Sequence, residues 1–147
     1  MNRIRKSREI LDNHFGVIRD AVQYKRPFII VNFVTKEQMN RFLNDLDLYG
    51  RLPYIIQEIR SHKAVFPSIF ITNHGSTVSL PEFQALVKHM IASYKLDSIV
   101  CLYNGGVSVF YKNGEHSAIG EEIYGSTDPT IFTSDYYKVG GHCYTFL

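Results

Sequence analysis

The segment from Asp97 to Gly120, DSIVCLYNGGVSVFYKNGEHSAIG, constrains the fold more than any other. It reads as a strand over residues 99–103, a tight turn at Asn104-Gly105-Gly106, a return strand over 107–111 and a second turn at Asn113-Gly114. Asn-Gly reaches positive φ at little cost, so between β-rich runs it marks a hairpin. A helix-like stretch precedes it, and that order of elements limits which sheets the chain can build.

Upstream, residues 3 to about 24 carry a helical stripe of Ile4, Leu11, Phe15, Ile18 and Val22. After Pro27 the run FIIVNFV is apolar enough for a strand covered on both faces. Thr35, with Gln38 three residues on, forms a capping box for a helix over 36–48, whose buried stripe is Met39, Phe42, Leu43 and Leu46. The stretch LPYIIQEIR fits strand or helix, and its β-branched content with the short link to PSIFIT favours a hairpin. Ser79 and Glu82 form a second capping box, with Pro81 in the first turn of a helix over 80–95. Its stripe is Phe83, Leu86, Val87, Met90, Ile91 and Tyr94.

The expected fold class is therefore α+β. It is a ferredoxin-like β-α-β-β-α-β core with two helices on one face, an N-terminal helix and additional C-terminal β-hairpin strands. Those last strands are expected over 130–138 and 142–146, separated by Gly140-Gly141. One domain covers 1–147, with no internal repeat or linker. The N-terminal stripe and the aromatic C-terminal third exceed what a four-stranded sheet needs to cover, which predicts self-association as a trimer. Their folding back onto the same subunit is the competing expectation.

Chemistry is sparse. A net charge of +2 is too balanced to imply nucleic acid, and no RNP1-type motif is present. The basic start, Arg3, Arg5, Lys6 and Arg8, reads as a solvated helix face. Two cysteines, Cys101 and Cys143, sit in apolar runs where a thiol behaves as a small hydrophobe. No apolar leader or bilayer-length run occurs, which predicts a cytoplasmic protein with no membrane partner. His74 with Ser76 begins a His-x-Ser/Thr phosphoesterase pattern, but the second strand has Tyr144 where a hydroxyl residue belongs after His142. His142 and Cys143 are adjacent and point to opposite faces of a strand, so they form no nucleophile-base dyad. Glu121-Glu122 with Asp128 read as solvated acids, and the other histidines lack ligand spacing, so no metal is expected.

The hairpin segment, together with the upstream order FIIVNFV, helix, LYG, a Tyr-bearing strand and PSIFIT, resembles the phage S-adenosylmethionine lyases over residues 27–120. The resemblance implies a ferredoxin-like, PII-like trimer with sites between subunits. It also implies cleavage of S-adenosylmethionine to methylthioadenosine and homoserine lactone, without a cofactor, in the host cytoplasm, as a counter to restriction. Tyr54 falls where the family has its site tyrosine. The family's glutamate has no clean counterpart, and Glu58 is the nearby candidate. The substrate's own carboxylate is the nucleophile, so the protein needs only to fold the substrate and exclude water. Two other classes remain open: a non-enzymatic PII-like binder of an adenine nucleotide or inhibitor of a host protein, and a nucleic-acid binder using the basic N-terminal helix.

Overall fold

The computed structural model describes residues 8–10, 13–49, 52–61, 63–73, 79–103 and 105–147. The elements are, in order, β1 (Arg8–Glu9), α1 (His14–Gln23), β2 (Phe28–Asn32), α2 (Lys36–Tyr49), β3 (Pro53–Arg60) and β4 (Val65–Thr72). Then follow α3 (Leu80–Ser93), β5 (Ser98–Tyr103), β6 (Gly106–Tyr111), β7 (His116–Gly120) and β8 (Ile123–Ser126). A 3-10 turn (Pro129–Ile131), β9 (Tyr136–Val139) and β10 (His142–Phe146) complete the chain. All ten strands belong to one sheet, in the order β7-β6-β5-β2-β4-β3-β9-β10-β8, with β1 lying parallel to β3.

Local signals place the helices where the sequence expects them. Gln38 N–H donates to Thr35 Oγ1 (3.2 Å), and the Gln38 side chain accepts from Val34 N–H (3.0 Å). Glu82 N–H donates to Ser79 Oγ (3.3 Å) at the start of α3. LPYIIQEIR resolves as a strand, pairing from Tyr54↔Ile71 to Arg60↔Val65. The turns use positive φ at Gly105 (81°) and Gly114 (89°); Asn104 lies outside the described residues.

Alternation along β2 shows how the sheet is covered. Ile29 and Val31 face α2 and α3, joining Met39, Phe42, Leu46, Phe83, Leu86 and Met90 in one core. Phe28 and Ile30 face the other way, toward Ile18, Ala21 and Val22 of α1. That second core also takes Val107 from β6 and Val139, Tyr144 and Phe146 from β9 and β10. One ten-residue helix reaches strands from both halves of the sheet only if the sheet curls around it, and it does so as a half-barrel. Gly125 of β8 makes room for this, because a Cβ there would collide with the Phe15 ring.

These observations correct the fold class. The protein is not a ferredoxin-like core with an N-terminal helix; strands β5, β2, β4 and β3 are the middle of a longer sheet that continues at both sides. Edge β3 does not stop the sheet, because Glu58, Ile59 and Arg60 pair with Lys138, Tyr137 and Tyr136 of β9. The N-terminal helix is shorter than expected. Asn13 takes a left-handed conformation (φ 48°), and Arg8–Glu9 is already a strand, so the helix starts at His14. Ile4 and Leu11 lie outside the described residues, whereas Ile18 and Val22 are buried by their own chain. That part of the stripe needs no second subunit. Residues 130–138 are not one strand either: Asp128 Oδ1 accepts from Thr130 N–H (3.0 Å) and with Pro129 fixes the 3-10 turn, so β9 begins at Tyr136.

A buried polar chain crosses the inner face. Tyr144 OH donates to Gln57 Oε1 (2.6 Å), Gln57 Nε2 donates to Ser68 Oγ (3.1 Å), and Ser68 Oγ donates to Asn32 Oδ1 (2.8 Å). Tyr144 and Ser68 are fully buried and Gln57 nearly so. Removing one partner strands the other without water. Tyr144→Phe is therefore expected to lower stability by about 1–3 kcal/mol in urea unfolding. The double variant Gln57→Leu/Tyr144→Phe should cost less than the sum of its parts. Burial also pushes the Tyr137 hydroxyl from 10.0 up to about 12, against a hydrogen bond to Asn32, and pushes Tyr144 well above 10.0. Because these folded-state values are raised, the stability they contribute is complete below about pH 10 and lost as pH climbs through about 12. Denaturant midpoints that stayed flat across that window would contradict it.

Candidate functional site

Tyr54 and Glu58 lie on the same side of β3, the side facing α2 and α3, since Ile55, Gln57 and Ile59 point inward. Four steps along the strand set them about 13 Å apart. Tyr54 is half-buried against the core beneath the helices. Glu58 Oε2 instead accepts from Arg60 Nε (3.0 Å) and Nη2 (2.9 Å). Neither residue is in the lining of the groove or hollows described below.

The remaining candidates separate similarly. His74 and Ser76 fall outside the described residues, as do Arg3, Arg5 and Lys6. His142 stacks on Phe15 (4.8 Å between ring centres, 6° between planes), and the residue two on, Tyr144, is committed to Gln57. Cys143 pairs across from Lys138 and Ser126, on the face opposite Tyr144. Burial raises its thiol, with Lys138 and Arg60 opposing the shift. Burial alone pushes the Cys101 thiol up to about 11. Both are therefore poor nucleophiles at neutral pH. Among the described residues no three His, Cys, Asp or Glu side chains form a metal cluster, and no helix is long and apolar enough to cross a membrane.

A concavity lies where no sequence motif points. A groove runs along the flank of α3 above β5 and β6, in two lobes of about 560 Å³ each that share Lys88, Ile91 and Phe110. Both lobes fall within the 300–1,000 Å³ typical of small-molecule sites. Phe83, Val87, Ile91 and Phe110 make its apolar surface, and Cys101 lies in the same lining. Among the described residues four lysines border it, Lys25 and Lys88 on one lobe and Lys88, Lys95 and Lys112 on the other, and no Asp or Glu appears in either lining. Lys112 has an exposed ion pair with Asp97 (3.6 Å) outside the lining.

Two of these lysines occupy unusual backbone positions. Tyr24 and Tyr94 cap the C-termini of α1 and α3, and the residue after each, Lys25 (φ 54°) and Lys95 (φ 51°), is left-handed. At α1 the motif is complete: Arg26 N–H donates to Ala21 C=O (2.8 Å) and Lys25 N–H to Val22 C=O (3.3 Å). Glycine is the usual residue at this position, and an L side chain there costs roughly 1–2 kcal/mol. Part is offset by the favourable interaction of a cation with the helix C-terminus. Sequence reasoning missed this site, although a signal exists. Tyr-Lys occurs at 24–25, 94–95, 111–112 and 137–138, and the first three of these lysines border the groove.

Comparisons with protein-family models, with curated proteins and with solved structures find no match to this chain.

Proposed function

We propose that the protein binds a small anionic ligand with a flat apolar body, an adenine nucleotide in class, in the groove between α3 and the β5–β6 hairpin. The observation that carries this reading is the pair of left-handed lysines. Two helices end on a lysine where glycine would be less strained, and both side chains border one groove with no acid in its lining. Backbone strain retained at one concavity is a pointer to binding. The apolar walls suit a base or similar ring, and the ammonium groups suit phosphate or carboxylate.

The same charge pattern weighs against S-adenosylmethionine in this groove, because its sulfonium would meet four cations and no carboxylate. The expected activity is binding without turnover. Calorimetry with ATP, AMP and S-adenosylmethionine should give saturable binding of the nucleotides and weaker binding of the sulfonium. Lys88→Ala should reduce ATP affinity by about tenfold or more, the loss of one charge-assisted contact. Appearance of methylthioadenosine in the S-adenosylmethionine sample would instead establish a lyase.

A second expectation separates strain from charge. Lys95→Gly relieves roughly 1–2 kcal/mol of backbone strain, while the freer unfolded chain takes back about 0.4–1. It should therefore leave Tm unchanged or raise it by up to roughly 6 °C while weakening ATP binding. A variant that is less stable, or that binds ATP unchanged, contradicts the assignment. Cys101 gives an internal reporter. Its raised thiol should react slowly with a disulfide reagent, and saturating ATP should slow the reaction further.

A further inference from the structure

Strand β7 ends the sheet and, among the described residues, pairs only with β6. Edge strands are normally guarded by charge, proline or covering segments, because their unpaired backbone is a template for another chain. The five residues of β7, His116, Ser117, Ala118, Ile119 and Gly120, include no proline, Lys, Arg, Asp or Glu, and the first four are exposed. Tyr111 N–H donates to Glu115 C=O (2.9 Å), and Val109 faces Ser117 across the ladder. Antiparallel alternation then turns the backbone groups of His116 and Ala118 outward.

A hollow of about 340 Å³ lies against this edge, lined by Tyr103, Ser108, His116, Ala118, Gly120 and Glu121 among others. An irregularity between Val107 and Ser108 sets Ala118 opposite Ser108 on the face that also bears Phe110 and His116. The small Ala118 leaves that face open beside the edge. An unpaired edge next to a side-chain hollow is the arrangement by which sheets accept an added strand.

The charges bracketing β7 choose the occupant. Glu115 precedes it, and Glu121 and Glu122 follow. Two copies paired antiparallel about Ala118 would set Glu115 of each against Glu121 of the other, and directly opposed like charges are destabilising. We propose that β7 is a strand-addition site for an extended segment of another protein. That segment is about seven residues long, carries Lys or Arg at both ends and places a bulky apolar side chain opposite Ala118. It makes main-chain hydrogen bonds to His116 and Ala118, and its apolar side chain enters the hollow.

The probe is a fluorescein-labelled Lys-Val-Thr-Phe-Thr-Val-Lys peptide, which reads the same in both directions, compared by anisotropy with its Glu-ended counterpart. The Lys-ended peptide should bind saturably, and the Glu-ended one roughly fivefold or more weakly. Glu115→Lys/Glu121→Lys should reverse that preference. Ala118→Pro removes the outward N–H and leaves the bonds to β6, so it should weaken binding about tenfold or more with an unchanged circular dichroism spectrum. Lys88→Ala should have no effect on the peptide, which separates this edge from the nucleotide groove. Equal binding of both peptides, an unreversed preference in the charge variant, or full affinity in a folded Ala118→Pro variant overturns the proposal. So does a wild-type dimer that Ala118→Pro dissociates, which would make the occupant a second copy.

Discussion

The structure depends on the polar chain from Tyr144 through Gln57 and Ser68 to Asn32. Its members come from β10, β3, β4 and β2, and every link is a hydrogen bond of 2.6–3.1 Å. Apolar side chains at these positions would pack in many registers, since burial is non-directional. A buried amide between two hydroxyls fits one register only, because a one-residue slip turns each group to the opposite face. This chain thus fixes how β9 and β10 join the older part of the sheet, and with it the curl that encloses α1. The stacking of Tyr137 on Tyr144 (5.1 Å, 22°) and of Phe28 on Phe70 (5.4 Å, 20°) then fills the space around it.

Features decided within a few residues were legible in the sequence. Both N-cap hydrogen bonds, both helical stripes and the Asn113-Gly114 turn rest on contacts between near neighbours, and each is present. Features decided at long range were not. That β3 is an interior strand depends on its pairing with β9 and on Gln57 finding Tyr144, partners far away in the chain. Read alone, PYIIQEIR shows only a polar residue in an apolar run. The start of α1 was misplaced because Asn13, left-handed in the fold, looks in sequence like any polar helix residue. The groove was missed because a lysine after a helix ordinarily reads as a solvated charge, and only its φ distinguishes Lys25 and Lys95 from that.

The two faces of the sheet divide the work. The inner face is filled largely by α1 and the terminal strands, with a hollow of about 500 Å³ between α1 and residues 121–123. On the other face α2 and α3 pack over the middle strands and α3 reaches Phe110 of β6, with Tyr103, Phe110 and His116 in mutual contact beside it. The groove and the open edge both lie at that margin of the sheet. Sites at such a margin keep a rigid sheet beneath them while staying open to solvent.

The place of α1 within the curl has a consequence for how the chain acquires its structure. Phe15 stacks on His142 and sits over Gly125, and Ile18 and Val22 share a core with Tyr144 and Phe146. The first helix and the last strand therefore complete one another. During synthesis α1 has no finished surface to rest on until β10, far downstream of it, has been made. Its apolar side must wait while the intervening strands are made, as in other chains dominated by distant contacts, where folding is slow and the waiting surface is exposed to aggregation.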